Sequence, residues 1–191
     1  MAQRVRTFVA VEAPPEVRSR ATELIQRLKA VDARVKWVEP HNLHWTLKFL
    51  GNVEMVEIPE VCSAVEEAAK SLPAFDLEAR GAGAFPNLRN PRTIWLGVGQ
   101  GADEMVELHR AVERSLAKLG FREERRRFRP HITIGRVREG GAPVNELAEL
   151  LQESADFEGR NSTVFNVTVF SSQLGREGPQ YEALAHIDLQ G

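Results

Sequence analysis

The chain has 191 residues, 42% of them hydrophobic and 27% charged, with a net charge of −2. That composition suits a soluble globular protein with one sizeable core, and the charge supplies no global basic field that would coat a nucleic-acid duplex, although a small or end-bound nucleotide stays compatible. The lone cysteine, Cys62, excludes an intrachain disulfide and a cysteine-rich zinc site, and no stretch approaches the ~20 apolar residues of a membrane span.

Residues 4–11 read as a first strand, with Val5, Thr7, Val9 and Val11 on one face. The apolar run here is too short for a signal peptide, so a reduced, cytoplasmic protein is expected. Pro14 and Pro15 open a helix to about residue 30, striped by Val17, Ala21, Leu24, Ile25 and Leu28. A short strand at 35–38, the turn EPHN and a strand at 43–50 follow, the last closed by Gly51. A helix over 56–71 carries Ile58, Val61, Cys62 and Val65 on its apolar face, which makes Cys62 a core thiol. Strands at 75–85 and 93–98 flank the turn PNLRNPR. A helix over 103–119 turns Met105, Leu108, Val112, Leu116 and Leu119 inward, with Gly120 as its C′ residue. A strand at 128–137, a loop at 138–143, a helix at 144–153, a strand at 162–174 and a final strand, YEALAHIDL, complete the chain. Strands coming two in succession between helices give an α+β class rather than a doubly wound sheet. No Gly-rich phosphate loop is present. The expectation is a single domain over 1–191 made of two lobes, and a monomer.

Two strands carry one pattern. LHWTLKFL at 43–50 places His44, Thr46 and Lys48 on one face and Trp45, Leu47 and Phe49 on the other. FRPHITIG at 128–135 sets His131 and Thr133 against Ile132 and Ile134. With five histidines and seven threonines in the chain, two H-x-T-x hits with apolar x positions are improbable by chance. They stand 87 residues apart, each in a strand–helix–strand setting, which marks an internal duplication. Lobes paired about a pseudo-twofold axis would turn both pairs toward one groove.

Two imidazoles across a groove make an acid–base unit. A pKa near 6.5 lets one ring take a proton from water while the other gives one to a leaving oxygen. Thr46 and Thr133 stand about 7 Å along their strands from the histidines and can donate hydrogen bonds to anionic oxygens. A phosphodiester suits this arrangement, and no metal or other cofactor is needed.

Paired H-x-T-x motifs resemble those of the two-histidine (2H) phosphoesterase superfamily. Within it the chain is similar to the RNA 2′,3′-cyclic phosphodiesterases, also called LigT-like 2′-5′ RNA ligases. FVAVEAP, VKWVEPHNLHWTLKFLG, GAFPN, PRTIWLGV, FRPHITIGRV and GPQYEAL fall in the family's order. The resemblance implies a bilobal α+β fold with two antiparallel sheets lining a central groove and helices outside. It implies hydrolysis of RNA 2′,3′-cyclic phosphate ends, on tRNA halves or small cyclic nucleotides, to 2′-phosphomonoesters, with reversible 2′-5′ ligation. It makes His44 the acid, His131 the base, and Thr46 and Thr133 the phosphate holders. The second motif of the family is often H-x-T-x-x-R, which Arg136 completes. Simple alternation puts Arg136 on the wrong face, so either a bulge turns it inward or its long side chain reaches round the rim.

Residues 122–129 carry five arginines against two glutamates, and Arg127 and Arg129 share the parity of His131, so Arg129 is a candidate phosphate contact; a solvated surface turn is the rival reading. Phe8, Phe85 and Tyr181 are candidate base-stacking partners. His109 reads as a helix-boundary residue and His186 as part of an exposed polar face. Two other classes stay open: a non-catalytic module binding nucleotide or RNA ends, and a metallohydrolase using His41, His44 and His131. The H-x-x-H spacing of His41 and His44 suits a helix, but these residues fall in a turn and a strand.

Overall fold

Alternating apolar residues set the first element. β1 (Arg4–Glu12) buries Thr7, Val9 and Val11 against the helices and turns Phe8 and Ala10 the other way, where they cluster with Phe170. The computed structural model describes residues 3–138, 144–175 and 178–190, so all but residue 138 of the expected loop at 138–143 lies outside the described residues. Pro14 is extended and Pro15 starts α1 (Pro15–Leu28), whose predicted stripe of five residues is fully buried. β2 (Val35–Trp37) and one 3₁₀ turn, Pro40–Asn42, lead into β3 (His44–Glu54). α2 (Ile58–Ala69), β4 (Phe75–Phe85), β5 (Thr93–Val98) and α3 (Ala102–Ala117) follow. Then come β6 (Ile132–Val137), α4 (Val144–Glu153), β7 (Glu158–Val164), β8 (Asn166–Leu174) and β9 (Pro179–Asp188).

The strands form one antiparallel path in the order β7-β4-β5-β6-β3-β1-β8-β9, with β2 paired to β6 off that path. The two expected sheets are the halves of this path, β3-β1-β8-β9 and β6-β5-β4-β7. They join through one Cα pair, Trp45 with Ile132. Both residues are wholly buried, so the join is clamped by core packing rather than by a long ladder.

Several boundaries differ from expectation. Gly51 does not close β3; it takes a left-handed conformation (φ 74°) beside a bulge, and the strand runs on to Glu54. The predicted strand at 162–174 breaks at Phe165, because β7 pairs with β4 in one lobe and β8 with β1 in the other. No strand covers 121–131, and ladder pairing begins only at Ile132 after Pro130. Gly120 (φ 88°) does close α3: its N–H reaches the Ala117 carbonyl and that of Phe121 the Leu116 carbonyl, which leaves Leu119 exposed rather than inward.

Candidate active site

A bulge sits at the same place in both motif strands. Along β1–β3, Val9 pairs with Lys48 and Ala10 with Thr46, so Leu47 has no partner. Along β5–β6, Ile94 pairs with Gly135 and Trp95 with Thr133, so Ile134 has none. Each extra residue reverses the alternation that follows it. Lys48 therefore leaves the histidine face; it is only 2% exposed and ion-paired to Glu113 of α3 at 2.6 Å. Phe49, expected in the core, is 56% exposed on the groove side, 5.9 Å from Phe8. The same reversal brings Arg136 onto the face of His131 and Thr133, which settles the parity problem in favour of the bulge. Phe49 and Arg136 thus hold equivalent places, each five residues beyond its motif histidine.

The join between the lobes sets the two motifs against each other. With Trp45 level with Ile132, an antiparallel register puts His44 level with Thr133 and Thr46 level with His131. Both histidines and both threonines are half-buried on the groove face, and among the described residues neither threonine hydroxyl has a hydrogen-bond partner.

The rings are fixed alike. His44 Nδ1 lies 2.7 Å from the Asn42 carbonyl and His131 Nδ1 lies 2.7 Å from the Arg129 carbonyl, in each case two residues back. A carbonyl only accepts, so each Nδ1 carries the proton and each Nε2 is left for substrate. Asn42 is itself buried and its side chain donates to the Pro179 carbonyl at 2.9 Å, tying the His44 support to β9. Leu47's carbonyl, at the first bulge, lies 2.9 Å from His109 Nδ1, so His109 is a buried anchor rather than a boundary residue.

Burial pushes both imidazoles below the ordinary histidine value. The neighbours divide the pair. Glu12, level with His44 in β1–β3, draws His44 upward together with the Asn42 carbonyl, while the charge of His131 lowers it further. The Arg129 carbonyl raises His131, whereas the Arg136 guanidinium lowers it. Burial pushes the Tyr181 phenol up and the charge of Arg136 acts against it, so one guanidinium acts electrostatically on groups from both halves of the sheet.

The aromatic candidates lie beside the two histidines, but Phe8 is only 2% exposed, so it backs the His44 ring and offers no open face to a base. Phe8 and Tyr181 lie 5.0 and 5.4 Å from the His44 ring, and Phe85 packs edge-on to His131 at 5.0 Å. Phe170, Phe49 and Trp95 extend these two clusters and were not singled out from sequence.

A family model described as the 2′-5′ RNA ligase superfamily matches residues 13–173. The chain belongs to that superfamily. It is 38% identical over 178 residues to an RNA 2′,3′-cyclic phosphodiesterase of Methanothermobacter thermautotrophicus, covering 93% of this chain and 95% of that one. It is 33% identical over 187 residues to the Thermotoga maritima protein of the same name, covering 98% and 97%. Among solved structures, a Thermus thermophilus protein, TT0787, superposes with a TM-score of 0.81 at 28% identity, covering 97% and 98% of the two chains. Escherichia coli LigT complexed with 3′-AMP superposes at 0.74 and 27%, covering 99% and 100%.

In this member of the 2′-5′ RNA ligase superfamily the remaining candidates divide. Arg129 contributes its carbonyl to His131, while its exposed side chain lines a depression between α3 and residues 123–130 that also holds Glu107, Glu123 and Glu124. The strand parity that aligned it with His131 does not apply, because that segment is not a strand. His41 is exposed in the 3₁₀ turn, and His186 meets Thr168 and Glu12 at the far side of β1. Among the described residues no group of three His, Cys, Asp or Glu side chains converges as a metal site, and no helix is long and apolar enough to cross a membrane.

Proposed function

We propose that the protein hydrolyses RNA 2′,3′-cyclic phosphate ends to 2′-phosphomonoesters by acid–base catalysis from His44 and His131. The observation that carries this reading is the matched pair of rings: each Nδ1 is held by the carbonyl two residues back, and each Nε2 is left free on a common face. The names of the relatives agree with it. The reading takes residues 1–191 as one domain whose lobes are related by a local twofold between Trp45 and Ile132.

In the step itself, His131 Nε2 takes a proton from water as the water oxygen bonds to phosphorus. The phosphorus–O3′ bond breaks, and His44 Nε2–H protonates the departing O3′, leaving the phosphate on O2′. The family's scheme gives His44 the acid role and His131 the base; burial lowers both rings, Arg136 favours a neutral His131, and the smaller pull of Glu12 favours a protonated His44. A bound phosphate anion strengthens that bias at His44. Thr46 and Thr133 hydroxyls donate to the non-bridging oxygens, and Arg136 offsets the growing negative charge, with Arg129 at the rim. A 5′-hydroxyl in place of water gives the 2′-5′ linkage by the same proton transfers, with O3′ again leaving, and attack of that 3′-hydroxyl on the linkage runs the ligation backward. The substrates are RNA ends such as tRNA halves, or small cyclic nucleotides, met by a cytoplasmic monomer.

The test is incubation with an oligoribonucleotide ending in a 2′,3′-cyclic phosphate, with and without EDTA, followed by identification of the product. A 2′-phosphate formed equally well in EDTA is expected. No product at high enzyme concentration, with the oligonucleotide still bound, would make the protein an end-binding module, and loss in EDTA would require a metal.

A further inference from the structure

The short strand β2 lies against the second motif strand, with Val35 opposite Val137 and Lys36 opposite Arg136. The ladder continues one residue further, where the Arg138 N–H donates to the Arg34 carbonyl at 2.8 Å. Paired residues share a face, and so do residues two apart on a strand. Arg34, Lys36, Arg136 and Arg138 therefore stand together on one face, in two cross-strand pairs, while Val35 and Val137 pack into the core behind them. All four are exposed, and none makes an ion pair with a described carboxylate. Arg92, next to the Thr93 that meets Arg136, adds a fifth exposed cation just before the neighbouring strand β5.

Like charges directly opposite each other destabilise an antiparallel pair. One such pair on a three-residue strand and a second just beyond its start, in a chain whose net charge is −2, call for a polyanion over them. The arginine-rich run at 122–129 is a weaker candidate, because its depression is also lined by Asp103, Glu107, Glu123 and Glu124. The β2–β6 face is, by contrast, continuous with the site: Arg136 belongs to it and also acts on His131 and Tyr181.

We propose that this ribbon is a binding track for the RNA backbone, holding phosphates of the nucleotides that precede the reacting end through Arg34, Lys36 and Arg138. The inference rests on the RNA-end reading above and extends it to substrate length: a polynucleotide gains contacts that a mononucleotide lacks.

The test is the triple variant Arg34→Gln, Lys36→Gln, Arg138→Gln, which leaves Arg136 intact. Rates are measured on a nucleoside 2′,3′-cyclic phosphate and on a ten-nucleotide RNA with the same end. The track predicts kcat/KM at least ~10-fold lower on the oligonucleotide and within about twofold of wild type on the mononucleotide. With single strands contributing a slope of ~0.7 per phosphate contact, the dependence of log affinity on log salt should flatten by about 2. Equal losses on both substrates, or no loss on the oligonucleotide, would overturn it. Fluorescence anisotropy with a 2′-phosphate-ended RNA separates the two ideas. If neither substrate turns over, the hydrolytic reading falls, while unchanged RNA affinity in the triple variant would sink the track and a ~10-fold weakening would sustain it.

Discussion

Replacing Lys48 with methionine tests the bulge that organises the first motif. Plain alternation puts Lys48 on the groove face, where its loss would weaken phosphate binding and leave stability alone. The bulge at Leu47 puts it in the core, with its ammonium 2.6 Å from Glu113 Oε1 and 2.9 Å from the Arg122 carbonyl. Among the described residues Glu113 then keeps one further hydrogen bond, from the Glu124 N–H at 3.1 Å. Lys48→Met thus strands a buried carboxylate, and breaking a buried pair from one side costs about 3–5 kcal/mol. At this chain length about 1 kcal/mol moves the melting midpoint by roughly 2–4 °C, so the variant should melt roughly 6–20 °C lower. Lys48→Met combined with Glu113→Leu removes both charges and leaves the Arg122 carbonyl and Glu124 N–H on an exposed segment where water can reach them. The double variant should recover at least ~2 kcal/mol relative to Lys48→Met in urea unfolding. A Lys48→Met protein within ~1 kcal/mol of wild type but with a raised KM would refute the placement.

The other expectations concern the groove. Because burial lowers both histidines, the acid limb of kcat/KM, which reports the free enzyme, should fall at a pH below the ordinary histidine value of about 6.5. The same shifts bear on stability: near and below pH 6.5 the unfolded chain binds more protons at these two sites than the folded one. Stability therefore rises as pH is raised toward 6.5 and is lost as pH falls below it, and His44→Ala should flatten that slope in thermal melts. Phe49→Ala removes an exposed ring beside Phe8 and should leave the melting midpoint unchanged; a base–aromatic stack is worth about 1–3 kcal/mol, so KM should rise roughly 5- to 150-fold. An unchanged KM would take Phe49 out of base binding.

Much of this architecture is legible in the residues themselves. The stripes of α1 and α2, the strands at 75–85 and 93–98 and the duplicated H-x-T-x are periodic signals that local packing enforces. What escaped has a common physical character. An unpaired bulge residue such as Leu47 or Ile134 is an ordinary aliphatic, and only the partner strand reveals that it is extra. Yet the bulge was foreseeable in β6, where Arg136 needed it, and copying it to β3 would have put Phe49 in the groove and Lys48 in the core. Asn42 was invisible because its side chain meets Pro179 on a strand from the other end of the chain. The break at Phe165 was equally silent, since alternation on either side continues while the two strands part to different lobes.

The account turns on two histidines acting as one unit. Single-turnover rates should be measured on the cyclic-phosphate oligonucleotide for His44→Ala, His131→Ala and the double variant, each with its fold checked by melting. Each single variant should be slower by at least ~10², and the double variant should be no slower than the worse single one, because residues of one catalytic unit are not additive. Near-native rates in either single variant, or losses that multiply in the double, would contradict it.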